Sequence, residues 1–501
     1  MPDKKYRLMP LFFPIFLELL FMMLTGAVDT LMLASEGDQA VGAVGTANTY
    51  ISIFLIMFSI ISSGMMAVMT QYIGAKKPGV AQQALRIGLV LNLAAGTVIS
   101  MVLFLCAGSI LNAVGIAQDL MEPARIYLRT VGLFCVCNAL APIYSCYLRA
   151  FGHTSATLAG TVLANIVNVA LNAFFLFVMN WGVFGVALAT GVSRLTNLLW
   201  LWGASRRRIK PVTGNEKLDN REILRKIIRV GLPAAMETSL YNLAITIVIS
   251  LLNRMDATGM QATARAYAMQ ICNFSYCAGA ALAHANAIIA GWRIGARQLD
   301  ECDRETRKNA LIGIALGIST ASVFAIFAKP ILGLFTDDLQ MIRLVSMLLV
   351  IDIFLEIGRV SNLVFGMALK TSGDATYPMI IAVTFAFLFA AGGTWYFGIH
   401  LGWLAVGAYV AMALDECVRA VFMFLRWKKG MELFLRQIIL QKDLVLRPGC
   451  HCGRQSRFVH SLRFYRPVWI CICVFHEWLM KFMGNIRIYR SLMGLMNRGW
   501  M

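Results

Sequence analysis

The sequence predicts an all-α polytopic membrane protein with twelve transmembrane helices, arranged as two six-helix lobes related by a parallel repeat. Three observations predict it: the composition, a succession of long apolar segments with unevenly charged connections, and the repeat itself. Of 501 residues, 59% are hydrophobic and only 14% are Asp, Glu, Lys or Arg. Soluble domains are about 25% charged, and a soluble domain this apolar could not cover its own surface with polar groups. Most soluble enzymes, secreted disulfide scaffolds and disordered chains are excluded.

A helix of about 20 apolar residues crosses a bilayer, and the spans follow in order. The first covers 8–33 and carries Pro14, Glu18 and Asp29. It follows a basic N-terminus, is too long for a signal-peptide core and lacks a small-residue cleavage site, so it is read as retained. Spans 40–69, 85–106 and 125–148 come next. Span 156–179 carries Asn165, Asn168 and Asn172, and span 183–204 completes an amino-terminal lobe of residues 1–204. A basic linker, 205–229, divides the chain. The carboxy-terminal lobe, 230–430, opens with span 230–253, which holds Pro233 and Glu237, and span 264–291, which holds His284. Span 309–328 follows, then 341–367 with Asp352, Glu356 and Arg359. Spans 378–398 and 402–425 close the lobe, the last carrying Asp415, Glu416 and Arg419. A basic tail of unknown role occupies 431–501.

The connections on the side of the N-terminus hold 25 Lys and Arg, and those on the other side hold 5. A missed span would scramble that split. By the positive-inside rule both termini, the linker and the tail are cytoplasmic, in a multi-pass protein of the plasma (inner) membrane. The tail supplies +8 of the net +19 charge, and most of the rest serves orientation. No nucleic-acid partner is expected. Cys106, Cys135, Cys137, Cys146, Cys272 and Cys277 sit singly in apolar runs and read as small buried side chains rather than a disulfide frame.

The halves match at a nearly constant offset. QYIGAKK with Gly74 matches WRIGARQ with Gly295, and LRAFGHT with Gly152 matches LKTSGDA with Gly373, both at 221. Trp181 and Gly185 match Trp403 and Gly407 at 222, and Pro14 and Glu18 match Pro233 and Glu237 at 219. Six spans per copy put both copies in the same orientation, related by an axis along the membrane normal. That arrangement suits a transporter whose site lies between two bundles.

These residues resemble the MATE (multidrug and toxic compound extrusion) family over about residues 8–430. The resemblance is carried by VDTLML around Asp29, TQYIGA, NIVNVALN followed by WGVFGVALAT, GLPAAME, and LKTSGDATYP leading to GWLAVGAYVAMALDE. It implies a V-shaped pair of lobes and export of organic cations or amphipathic drugs by H⁺ or Na⁺ antiport. Similar transporters often carry an acidic residue where this chain has Asn172.

A charge near the bilayer centre costs about 2.5–3.5 kcal/mol on insertion scales, so charges inside spans are candidates for ion coupling or substrate binding. In the amino-terminal lobe these are Glu18 and Asp29, with Asn165, Asn168 and Asn172 sharing one helix face. Asp29 and the amides could hold H⁺ or Na⁺, since a hard cation wants oxygen ligands. In the other lobe they are Glu237, His284, Asp352, Glu356 and Arg359. Glu356 with Arg359, and Asp415 or Glu416 with Arg419, stand one turn apart and read first as paired charges that lock helices. Glu237 shows no local partner in sequence and is expected to face the cavity. His284 is either titratable or a packing residue. Pro14 and Pro233 bend matched helices and are candidate hinges. Met and Phe number 28 and 30, which suits a deformable apolar cavity.

There is no phosphate-binding loop of the G-x-x-x-x-G-K-S/T type, which argues against direct ATP drive. No enzyme activity, metal or cofactor beyond the coupling ion is expected. Cys450-His451-Cys452 and Cys471-Ile472-Cys473 lack the C-x-x-C spacing of common zinc sites. The expectation is a monomeric secondary exporter of a small organic cation or drug, working within a lipid bilayer by alternating access. The competing reading is a flippase for lipid-linked oligosaccharide or a polyprenyl lipid on a similar two-lobe fold, which a more basic cavity would favour.

Overall fold

The computed structural model describes residues 7–114, 116–210, 218–256 and 258–445. Among them every regular element is helical. The first half consists of α1 (Met9–Ala34), α2 (Asp38–Gly74), α3 (Pro78–Val114), α4 (Gln118–Leu133), α5 (Cys135–Ala150), α6 (Thr154–Ala173) and α7 (Gly182–Arg208). The second consists of α8 (Asn220–Met255), α9 (Met260–Gly295), α10 (Leu299–Ile326), the short α11 (Ala328–Leu332), α12 (Leu339–Ser372), α13 (Thr376–Phe385) and α14 (Leu404–Val445).

Eight of these, counting α6 and α13 with the π-turns that follow them, are long and apolar enough to cross a membrane on composition alone. α4 and α5 form one further span, bent by 47° at Phe134. The remaining three long helices, α9, α12 and α14, carry more polar and charged residues, and they bring the spans to twelve. Helices overrun the predicted spans because hydropathy marks only the lipid-crossing part. α2 continues to Gly74 and α3 begins at Pro78, well into the polar connection. The basic linker is likewise shorter than 205–229. Arg206, Arg207 and Arg208 form the last turn of α7, where cations meet the negative end of the helix dipole. Asp219 caps α8 by accepting from the Arg221 amide. α14 also runs past residue 430, and the compact unit closes at Arg436. The Cys-His-Cys and Cys-Ile-Cys runs of the tail lie outside the described residues.

The duplication is visible in the backbone. Residues with positive φ occur in matched pairs: Lys76 and Arg297, Gly152 and Gly373, Asn180 and Gly402, Gly182 and Leu404. Each pair ends one helix and aims the next. The corner after α6 stacks Phe175 on Trp181 at 5.0 Å, and the corner after α13 stacks Phe397 on Trp403 at 5.7 Å. Both corners follow a π-turn, Phe174–Val178 and Thr394–His400.

Each half has its own apolar core. One is built from residues such as Leu103, Leu111, Leu128, Leu176 and Ala187, the other from Val248, Val345, Leu348, Ala408 and Tyr409. Across the halves α2 packs on α8 and α9, and α1 packs on α9, with Ala67, Val230 and Ala375 among the buried apolar residues that join them. In lipid, helices associate by close packing of small residues rather than by escape from water. The buried run Ala278, Gly279, Ala280, Ala281, Ala283, Ala285, Ala287 on α9 serves that purpose. Five of the six apolar-run cysteines are buried and unpaired as expected, whereas Cys106 is exposed.

Candidate functional site

In the amino-terminal lobe the polar residues gather where α1 meets α6. The Asn172 amide donates to Asp29 Oδ1 at 2.7 Å and to Asn168 Oδ1 at 3.3 Å. Asn165 faces the same neighbour but does other work, donating to the Phe21 carbonyl at 3.1 Å. The predicted shared face is therefore present, and it splits into a pair that holds Asp29 and a bond that anchors α1. Nearby, Tyr127 donates to Asn48 Oδ1 at 3.2 Å. Arg194 on α7 places its charge within electrostatic reach of both Asp29 and Tyr127. One carboxylate and one guanidinium leave this cluster formally neutral.

Glu18 lies apart from Asp29, toward the N-terminal side. It is 5% exposed, pairs with Arg149 at 2.7 Å and accepts from Thr157 at 2.7 Å. Pro14 sits within an unbroken α1. Proline has no N–H for the carbonyl four residues earlier, and Thr154 supplies a donor to that Pro10 oxygen at 3.3 Å. Pro233 likewise lies inside a continuous α8.

The carboxy-terminal lobe is arranged differently. Arg359 bonds Glu356 on its own helix and approaches Asp352 at 3.6 Å. Arg419 pairs with Asp415 at 2.8 Å and Glu416 at 2.6 Å. The two groups are joined by Asn362, which donates to Glu416 at 2.9 Å and so ties α12 to α14. Tyr276 and Tyr241 place ring faces beneath Arg359 and Arg419, at 6.0 and 5.1 Å. Four carboxylates thus share two guanidinium groups, a formal charge of −2, although Glu356 is 0% exposed and Asp415 1%. Asp352 Oδ1, Glu356 Oε2 and Asp415 Oδ1 are buried acceptors without a hydrogen-bond donor. Such atoms are costly in a low-dielectric interior unless something positive or protonated reaches them.

Glu237 corrects the sequence reading. Expected to lack a partner, it pairs with Lys370 at 2.8 Å and leaves Oε2 without a donor. The partner was counted with the loops, yet α12 extends to Ser372 and carries Lys370 inward. The pair repeats Glu18 with Arg149 in the other lobe. His284 stands on α9 within reach of both cations, Arg149 and Lys370, and away from the acid cluster of Asp352 and Glu356.

Sequence reasoning missed Arg194, and also Arg265, which is 7% exposed and acts electrostatically on Tyr409. Both fall inside predicted spans, so the rule that found the acids would have found them.

Comparison with known proteins places this geometry. The family model described as MatE matches residues 14–174 and again residues 233–395. The uncharacterized transporter YisQ of Bacillus subtilis is 31% identical over 432 residues, which covers 85% of this chain and 94% of the relative. The probable multidrug resistance protein NorM of Bacillus cereus is 23% identical over 449 residues, 83% of this chain and 93% of that one. Among solved structures, the outward-facing conformation of a multidrug resistance MATE transporter of the MOP superfamily superposes with a TM-score of 0.78 at 19% identity, covering 85% of this chain and 96% of its own. A MOP superfamily transporter from Pyrococcus furiosus, described as having a binding pocket of reverse polarity that suggests a different function, gives 0.77 at 18% identity over 85% and 96%.

Proposed function

Because the chain belongs to the MATE family of transporters, we propose that it is a secondary active exporter of organic cations or amphipathic drugs, driven by H⁺ or Na⁺ entry and working by alternating access. The observation that carries this reading is the carboxy-terminal cluster, where four buried carboxylates share two guanidinium groups. A proton or Na⁺ arriving there relieves excess negative charge and satisfies the acceptors on Asp352, Glu356 and Asp415. An ion drives a conformational change only by binding the two access states with different affinity, and a cluster that must be neutralised to close is a means to that end. Glu237, with one acceptor unmatched, is a secondary contributor beside Lys370.

The amino-terminal cluster has a different role. Asp29 accepts from Asn172 and lies within electrostatic reach of Arg194, and this cluster is formally neutral rather than acid-rich. This lobe therefore contacts substrate through Asp29, Asn168 and Asn172 without holding a coupling cation of its own. The protein works as a monomer in the plasma membrane with both termini cytoplasmic, using no cofactor beyond the coupling ion. Relatives described as multidrug resistance proteins support the substrate class. A flippase for phosphate-bearing lipids would call for a basic interior, and the acid excess argues against it.

The test is reconstitution into liposomes with an imposed H⁺ or Na⁺ gradient and a panel of fluorescent organic cations. Export of at least one dye that depends on one of the gradients is expected. No movement of any dye under either gradient would sink the proposal.

A further inference from the structure

On the N-terminal side the two lobes meet through contacts that the repeat sets about a common axis. α2 ends at Gly74 and α9 at Gly295, matched positions, and each glycine lies against the backbone of the other helix. A Cβ on Gly74 would stand 2.1 Å from the Trp292 carbonyl oxygen, and one on Gly295 would stand 1.9 Å from that of Gln71. No side chain fits at either point. Gln71 and Trp292 are themselves matched, and each reaches across to the other lobe. The Gln71 amide donates to the Thr371 carbonyl at the end of α12, and the Trp292 indole donates to the Ala150 carbonyl at the end of α5, at 2.9 Å. Ala150 and Thr371 are matched in turn. The residues just before them, Arg149 and Lys370, are pinned by Glu18 and Glu237, so both acceptors are held in place.

We infer that Gln71→Thr371 and Trp292→Ala150, closed over the Gly74–Gly295 crossing, form a two-part latch that shuts the N-terminal side of the transporter and sets the balance between its two access states. Opening this side requires α2 and α9 to part. That would break both bonds and strand two donors, together with two carbonyls at helix C-termini that lack partners of their own. Because the bonds cross between lobes, they stabilise the closed state and contribute nothing to the open one, and weakening them shifts the population. The halves differ in strength. Trp292 is 1% exposed and its ring also covers Gly152, where a Cβ would lie 3.2 Å away. Gln71 is only half-buried. Trp292 is the dominant half.

The inference rests on the alternating-access reading but on neither the ion nor the substrate, and its test uses neither. Hydrogen–deuterium exchange of the full chain in lipid nanodiscs, without gradient or drug, reads opening at residues 68–77 and 289–298. Trp292→Phe keeps an aromatic ring and removes the donor, and Gln71→Met keeps the side-chain length and removes the amide. Each is expected to raise exchange about fivefold, the effect of losing one such hydrogen bond. The rise should appear in both segments for either variant, with Trp292→Phe above Gln71→Met. Gly295→Ala wedges the crossing and should raise both further. Exchange in α3 unchanged from the parent certifies that a variant is folded. Folded variants with unaltered exchange, or with a rise confined to the substituted helix, would overturn the latch.

Discussion

The two lobes are copies of one design that kept its backbone and changed its chemistry. Gly152 and Gly373, Trp181 and Trp403, and Pro14 and Pro233 occupy matched places, and the ion pairs Glu18–Arg149 and Glu237–Lys370 repeat as well. The middle of each lobe does not repeat. One holds a single acid, Asp29, beside Asn172 and Arg194. The other holds Asp352, Glu356, Asp415 and Glu416 around Arg359 and Arg419. Helix ends and corners obey geometric constraints that both copies must meet, whereas an interior polar site answers only to its own ligand. Duplication therefore preserves the frame and frees one interior to specialise.

The sharpest way to break this comparison is to remove a guanidinium from each lobe. Arg419→Met leaves Asp415 and Glu416 buried without their partner and is expected to destabilise the protein by about 3–5 kcal/mol. Arg194→Met should cost about 1 kcal/mol or less, as for a loosely coupled charge, because no carboxylate lies within ion-pair distance of Arg194 among the described residues. Apparent melting temperatures in one detergent decide it, and equal losses would mean that the lobes carry equivalent charge networks. Next in size is the effect on transport. Glu356→Gln should cut gradient-driven dye export by about tenfold or more, within the usual span of coupling between sites. Asp29→Asn should reduce it only about threefold and leave the dependence on the driving ion intact. If Asp29→Asn abolishes ion dependence and Glu356→Gln does not, the roles of the lobes are reversed. A smaller change sharpens the same point. Asn172→Asp gives the first lobe a second carboxylate against one Arg194. It should then bind a cation competitively with the dye, read as an apparent dye affinity that weakens about threefold at high Na⁺ or low pH.

Most of the frame could be read from the residues. Apolar length, basic connections and the matched glycines placed all twelve spans, because these are the features the bilayer and the helix corners impose directly. The site was legible residue by residue but not in its pairing. Asn168 and Asn172 are expected on one face and do meet there, with Asn172 donating both to Asp29 and to Asn168. That Lys370 reaches Glu237, or that Asn362 bridges to Glu416, depends on how far α12 extends and how it rotates against its neighbours. Hydropathy marks neither. Arg194 is hard to single out for a simpler reason: a basic residue reads first as a topology signal, and this one lies half-buried in the middle of α7.

The smallest expected effect tests the comparison outside the membrane. The turn into α6 carries His153, and the matched turn into α13 carries Asp374. Asp374 pairs with Arg426 on the last helix of its lobe at 2.7 Å. His153 faces Arg208 on the last helix of its own lobe, and partial burial together with that like charge holds its pKa below the ordinary 6.5. A base held low in the folded state is charged first in the unfolded chain. The unfolded chain thus binds the extra proton as pH falls through about 6.5, and stability conferred at higher pH is lost below it. His153→Asp should turn repulsion into the attraction seen at Asp374, worth only about 0.2–0.5 kcal/mol because solvent screens the pair. The gain over the parent should be larger at pH 5.5 than at pH 7.5, since only in the parent does the unfolded chain take up the extra proton there. Melting curves at the two pH values, with Asp374→His as the reciprocal change that should lose stability, measure this. A gain independent of pH, or none at all, would show that the last helix of each lobe is held by packing and that the charges at the turns are incidental.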